Sequence, residues 1–310
     1  MAEPLDVLAA HDPLAGRREP PVATDAPATA RYALLDVFTD VALAGNQLAV
    51  FMDARAIEPD WMQPLARELK LSETVFVLPA RERGDVAIRI FTPAVELPFA
   101  GHPVLGTAIL LGGALGLESV TVETLSGPVD VRVRSEDGVA VSGWMDQPVP
   151  TWQPFQEESR LLRALGVERS GLPVEVYDNG PHHVCVELEE AAAVAALRPD
   201  LHALGELGPF CVSCFAGSGR HWTTRMFAPG LGVAEDPATG SAAGPLAVHL
   251  SRHGRIAFGA EVEIRQGAEI GRPSLLYAFA EGTAGSVERV AVGGSAVIVG
   301  RGDLALPLVG

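Results

Sequence analysis

Apolar positions along the chain switch repeatedly between a period of two and a period near 3.6. Arg31–Thr39 reads as a strand with mixed alternation, and Gly45-Asn46 turns it into a second apolar run, Leu48–Met52. Trp61, Leu65 and Leu69 then share one helical face across 61–71, and Ser72–Leu78 returns to strand. Val86–Phe91 is a further strand, stopped by Pro93. Gly101-His102-Pro103 opens an Ala/Leu/Gly-rich helix reaching about Leu115, with proline tolerated in its first turn because N–H groups there have no helical acceptor. Strands near Val120–Glu123 and Val129–Arg134 lead to Trp144–Pro148. The cluster Pro148, Pro150 and Pro154 reads as a linker. Residues 1–30 carry Pro4, Pro13, Pro20, Pro21 and Pro27 with little periodicity, which predicts a flexible extension.

The second half repeats the first. Arg89-Ile-Phe91-Thr-Pro93 corresponds to Arg225-Met-Phe227-Ala-Pro229, and Glu96-Leu-Pro98-Phe-Ala-Gly101-His102 to Glu235-Asp-Pro237-Ala-Thr-Gly240-Ser241. Upstream, Gly45-Asn46 and the run after it have a looser echo at Asn179-Gly180. Each half reads as strand, turn, strand, proline and then a glycine-opened helix. Ordered correspondences in one register indicate duplication, and two copies are too few for a solenoid. The expectation is two pseudo-symmetric domains, over 31–147 and 148–310, with the last strand free to return to the first.

Composition narrows the function. Across 310 residues, 23 Lys+Arg against 39 Asp+Glu leave a formal charge of −16, which repels nucleic acid and anionic membrane surfaces. Neither is expected as a partner. No run reaches the roughly 18–20 apolar residues of a membrane-spanning helix. No basic segment followed by an apolar one marks secretion at the N-terminus, so the cytoplasm is the expected compartment. Cys185, Cys211 and Cys214 are too few for a disulfide framework. Cys211 and Cys214 spell C-x-x-C but sit in a segment that reads as a buried strand, with no second ligand pair. His182 and His183, adjacent on a strand, point to opposite faces and cannot easily share a metal. Neither metal nor cofactor is expected.

The repeated loops suggest chemistry instead. A glycine-opened helix leaves first-turn amides pointing outward, and the helix dipole adds positive charge there. If the starts at Gly101-His102 and Gly240-Ser241 converge, one small carboxylate could be held from both sides. Glu73 sits at a helix-to-strand junction among apolar residues, where desolvation can tune a carboxylate for proton transfer. His102, Glu235 and Asp236 lie on the same loops. A binding module without chemistry, and hydration or dehydration on the same scaffold, remain open alternatives.

Three strings together resemble the PhzF phenazine-biosynthesis family: Gly45-Asn46…Ala49-Val50-Phe51, Leu71-Ser-Glu-Thr-Val-Phe-Val77, and Pro98-Phe-Ala-Gly-His-Pro-Val-Leu-Gly-Thr-Ala108. Glu235-Asp-Pro-Ala-Thr-Gly-Ser-Ala242 and Gln266-Gly…Gly271-Arg-Pro-Ser274 extend the likeness, which spans about 31–300. The resemblance implies an α+β, diaminopimelate epimerase-like fold: two domains, each a curved, mostly antiparallel sheet around a central helix. It implies a cofactor-independent isomerase with Glu73, His102 and Asp236 catalytic and Asn46, Gly101, Gly240 and Ser241 binding substrate. A homodimer is also implied. The racemases of that fold use two cysteines, one at each helix start, and neither Phe99-Ala-Gly-His102 nor Asp236-Pro-Ala-Thr-Gly240 contains one. Gln47 stands where the family has proline.

Overall fold

The computed structural model describes residues 5–6, 29–137 and 139–306. Two compact units share the chain: unit 1 holds 1–43, 47–143 and 295–310, and unit 2 holds 44–46 and 144–294. The extension expected over 1–30 lies outside the described residues except for Leu5, Asp6 and the start of the first strand. Leu5 is buried, and Asp6 pairs with Arg55 at 2.9 Å.

In unit 1, β1 (Thr29–Val37), β2 (Asn46–Phe51) and β3 (Glu73–Leu78) precede β4 (Val86–Phe91) and the short β5 (Glu96–Leu97). β6 (Ser119–Thr124), β7 (Gly127–Glu136) and β8 (Val139–Gln147) follow, the last four residues of β8 belonging to unit 2. β2 and β3 are parallel, with Leu48 opposite Glu73. β3 and β4 are antiparallel, β4 and β6 parallel, and β6 and β7 antiparallel. Helix α1 (Pro59–Leu69) connects β2 to β3, starting on a proline and stopping at Lys70 in the left-handed conformation (φ 54°). Its buried face is Met62, Leu65 and Ala66, with Trp61 and Leu69 at the margin, packed on Phe51, Phe76 and Phe91. Phe51 and Phe76 stack at 4.8 Å, and Phe91 meets Phe76 edge-on at 5.5 Å.

Helix α2 (Gly101–Leu115) is the axis of this unit. Every residue from Gly101 to Gly112 is buried, as a helix apolar on all sides must be. A Cβ on Gly106 would stand 2.6 Å from Val37 Cγ2 and 2.8 Å from Leu48 Cδ2. Glycine there lets the helix lie directly against β1 and β2. The helix stops at Gly116, left-handed at φ 67°.

Unit 2 repeats this order. β9 (Thr151–Pro154), α3 (Glu158–Leu165), β10 (Glu175–Asp178) and β11 (His182–Glu187) come first, followed by α4 (Ala191–Ala196) and α5 (Leu201–Gly205). β12 (Phe210–Ser218), β13 (His221–Ala228) and β14 (Val233–Asp236) precede α6 (Gly240–Arg252). β15 (Val262–Gln266), β16 (Ser274–Thr283) and β17 (Ser286–Ala305) complete the chain. β11 and β12 are parallel, β12 and β13 antiparallel, β13 and β15 parallel, and β15 and β16 antiparallel. That is the pairing sequence of unit 1, strand for strand. The duplication reaches side chains too. Arg89 forks onto Glu96 at 2.7 and 2.8 Å and lies 5.0 Å over Phe91; Arg225 forks onto Glu235 at 2.8 and 2.7 Å and lies 5.0 Å over Phe227. α6 is buried from Gly240 to Ser251, while α3, α4 and α5 cover a separate apolar cluster around Val184, Val186, Val212 and Phe227. From Ser295 the long strand β17 belongs to unit 1, where Val37 faces Ala296 and Thr29 faces Ala305.

Candidate active site

Glu73 is the first residue of β3, directly before the buried run Thr74–Val77. The strand is anchored by that run, so its first side chain is held firmly while keeping 17% exposure. His102 occupies the first turn of α2, with Nε2 3.4 Å from Glu73 Oε2. Ala100 precedes the helix in an extended conformation and provides no side-chain cap. First-turn amides have no intrahelical acceptor, so an uncapped start directs them to whatever approaches. Burial pushes the His102 ring down to about 3, against a smaller upward pull from its hydrogen bond to the Gln47 backbone. At neutral pH the imidazole is uncharged. Gln47 is exposed on β2 and contacts the ring through its backbone.

The second cluster lies in unit 2. Asp236 ends β14 and is buried. Asn46 Nδ2 donates to Asp236 Oδ1 at 3.0 Å and to the Ala238 carbonyl at 2.9 Å. Thr239 Oγ1 donates to Asp236 Oδ2 at 2.5 Å. Burial pushes the carboxyl up to about 6, and these two donors hold it from rising further. Gly240 and Ser241 form the first turn of α6, also without a side-chain cap. Their carbonyls are held by distant amides: Gln147 Nε2 donates to Gly240 O at 2.8 Å and Asn179 Nδ2 to Ser241 O at 3.0 Å. Asn46, Asp236, Gly240 and Ser241 are thus gathered in unit 2, and Glu73, His102 and Gly101 in unit 1.

A family profile described as phenazine biosynthesis-like protein matches residues 35–302. A trans-2,3-dihydro-3-hydroxyanthranilate isomerase from Pseudomonas fluorescens is 51% identical over 275 residues, which cover 89% of this chain and 99% of that one. The chain belongs to the PhzF family. It is an isomerase, as its relatives near 50% identity are. A solved structure of a predicted epimerase from Pseudomonas aeruginosa is 34% identical, with a TM-score of 0.76 over 89% of this chain and 99% of that one. A hydroxyproline epimerase from Agrobacterium vitis, at 15% identity, shares the fold with a TM-score of 0.60 over 90% of this chain and 93% of that one. The α+β, epimerase-like architecture read from the sequence is therefore the one present.

This PhzF-family isomerase has no cysteine in the sequence of either helix start. Cys211 and Cys214 are buried on β12, three residues apart and in separate apolar clusters, where an extended strand turns them to opposite faces. Burial pushes the Cys214 thiol up to about 12 and Cys185 higher still, so neither is poised as a thiolate. No described helix is long and apolar enough to cross a membrane.

Glu175, His249 and His253 bring three metal-capable atoms within 4.8 Å. The carboxylate is already matched, however: Arg252 Nη1 lies 2.7 Å from Glu175 Oε2, and the guanidinium stacks 4.1 Å over Trp152. Burial pushes Glu175 up, but hydrogen bonds from His249, Arg252, His253 and Tyr177 outweigh it and hold the carboxyl well below its usual range. This arrangement locks the end of α6 to β10. A cation would have to expel the arginine.

His182 is exposed and His183 fully buried, as strand alternation requires. Neither His183 ring nitrogen has a hydrogen-bond partner among the described residues, and burial pushes the ring down to about 3. The consequence is acid lability. Between pH 6.5 and 3 the unfolded chain binds protons that His102 and His183 refuse when folded, so stability falls as pH drops through that window. Asp236 acts oppositely: raised from 3.8 to about 6, it favours the folded state at low pH, and that contribution is lost as pH rises through 6. Two groups outweigh one. Urea titrations of His183→Leu at pH 7 and pH 5 are expected to lose about 1–2 kcal/mol less than wild type between the two pH values. Equal losses would contradict the assignment.

Proposed function

We propose that the protein moves a carbon-bound proton within a small unsaturated carboxylic acid, with Glu73 taking the proton and returning it. The observation carrying this reading is Glu73 Oε2 at 3.4 Å from the buried, uncharged His102 ring, beside an uncapped helix start. A carbon–hydrogen bond breaks, its electron pair enters the conjugated system, and the proton rests on the carboxylate. The proton then forms a bond at another carbon of the same molecule, and Glu73 is regenerated. Protons and electrons balance with no added reagent. His102 stays neutral at working pH, so it can share a hydrogen bond with Glu73 without neutralising the base by a full charge. Burial pushes the Asp236 carboxyl up to about 6, and in its neutral form the group can donate to negative charge developing on the substrate. Amides at the start of α2, Gly101-His102, are the candidates for binding the substrate carboxylate beside Glu73.

The relative at 51% identity names the first compound to try, trans-2,3-dihydro-3-hydroxyanthranilate. Purified protein is expected to convert it to a product of unchanged mass, followed by chromatography with mass detection. A product lighter by one water would replace isomerisation with dehydration, and no conversion would remove this substrate.

A further inference from the structure

Around Asp236, the direction of every hydrogen bond is fixed by groups that can only accept. Gln266 Nε2 lies 2.8 Å from the Asp236 backbone carbonyl, which sets the orientation of the amide: nitrogen on this side, oxygen on the other. Gln266 Oε1 correspondingly accepts from Thr239 N at 3.3 Å. The same Nε2 donates to Thr239 Oγ1 at 3.0 Å. With that hydroxyl oxygen already accepting, its proton is directed to Asp236 Oδ2, 2.5 Å away. On the other oxygen, Asn46 is oriented by the Ala238 carbonyl in the same manner.

Thr239 is also the residue immediately before α6, where a threonine oxygen ordinarily accepts from an amide of the first turn. It makes no such bond here. Gln266 donates to the hydroxyl oxygen and Asp236 takes its proton, which turns the side chain toward the carboxylate and leaves the helix start without a side-chain cap. The close approach is built into the backbone. Gly267 is left-handed (φ 80°), and a Cβ there would stand 2.4 Å from Arg272 O and 2.5 Å from Pro237 O. Gln266 and Thr239 are both buried.

We propose that Gln266 and Thr239 are positioning residues for Asp236: the amide sets the direction of the hydroxyl, and the hydroxyl sets the orientation and charge of the carboxylate. Charged residues nearby do not substitute for them. Arg225 is committed to Glu235, Arg272 donates to the Gly45 carbonyl at 2.8 Å, and Glu269 is exposed. The elements around Asp236 otherwise present Asn46 and, from β13, Met226 as its strand partner.

The inference stands on geometry, and its link to catalysis rests on the function proposed above. Protein carrying carboxyl-labelled aspartate is titrated by carbon NMR, with Asp236→Asn identifying the signal. In Thr239→Val the Asp236 midpoint is expected to rise by about one pH unit, because a donor to the charged form is lost. In Gln266→Met it is expected to rise by less, because the hydroxyl keeps its proton but is no longer held in line with the carboxylate. Thr239→Ser is expected to keep the wild-type midpoint. An unmoved midpoint in Thr239→Val with a wild-type amide spectrum overturns the proposal; the Val and Ser pair decides the matter if Gln266→Met does not fold. Turnover separates the two readings. With the midpoint moved, a roughly tenfold fall in kcat at nearly constant KM supports both. A moved midpoint with unchanged turnover leaves the positioning role intact and removes Asp236 from the mechanism.

Discussion

Glu73→Gln is expected to lower kcat by about a thousandfold while leaving substrate affinity within a few-fold of wild type. The amide matches the carboxylate in shape and keeps a polar atom toward His102, yet it cannot accept a proton at any working pH. The anchoring run Thr74–Val77 is untouched, so the strand and its neighbour β2 stay in register. Glu73→Asp shortens the reach by one methylene and is expected to fall between the two, since proton transfer tolerates little added distance. Steady-state kinetics and a direct binding measurement on each variant separate the chemical loss from the binding loss. A variant that bound poorly but turned over bound substrate normally would make Glu73 a binding group.

Arg225→Met is expected to cost about 3–5 kcal/mol of unfolding free energy in urea at pH 7, because it strands a buried carboxylate. Arg225 and Glu235 are 7% and 11% exposed, and Arg225 Nη1 also donates to the Leu197 carbonyl at 2.9 Å, just past the end of α4. The duplicated pair provides an internal control. Arg89 and Glu96 are 22% and 27% exposed, so water answers part of the loss, and Arg89→Met is expected to cost about 1 kcal/mol. Replacing both partners, Arg225→Met with Glu235→Leu, is expected to recover much of the first loss, since no unpaired charge remains. Equal costs for the two single variants would show that burial does not distinguish the copies.

The sequence carried more of the fold than of the polar networks, and the reason is distance along the chain. Helix α2 was readable to the residue because Gly101, Pro103 and the unbroken apolar stretch after them are local signals. The repeat was readable for the same reason, through Arg-x-Phe-x-Pro and the glycine-opened helices. In contrast α4, Ala191–Ala196, offers five alanines and one valine and therefore no periodicity. β17 runs for 20 residues, but Gly293, Gly294, Gly300 and Gly302 interrupt its alternation. Glu73, His102 and Asp236 stand out from the repeated loops and the apolar junction, whereas Asn46 and the assignment of roles come only from the family likeness. Gln147, Asn179 and Gln266 were not singled out as site residues. Gln147 meets Gly240 across 93 positions, Asn179 meets Ser241 across 62, and Gln266 meets Thr239 across 27. A lone buried amide has no pattern until the sheet brings its partner near. One signal was available for the last: a glycine following Gln266 announced a backbone held too close for any side chain.

Running the reaction in deuterium oxide examines the role of Glu73 with the fewest assumptions. Glu73 keeps 17% exposure, so the proton resting on it exchanges with solvent in part of the turnovers before it is returned. Wild-type product is therefore expected to carry solvent-derived deuterium at the carbon that receives the proton, read by mass and carbon NMR, and Glu73→Gln to yield none above the uncatalysed background. Incorporation by Glu73→Gln at the wild-type rate would contradict the account and assign the proton to another group.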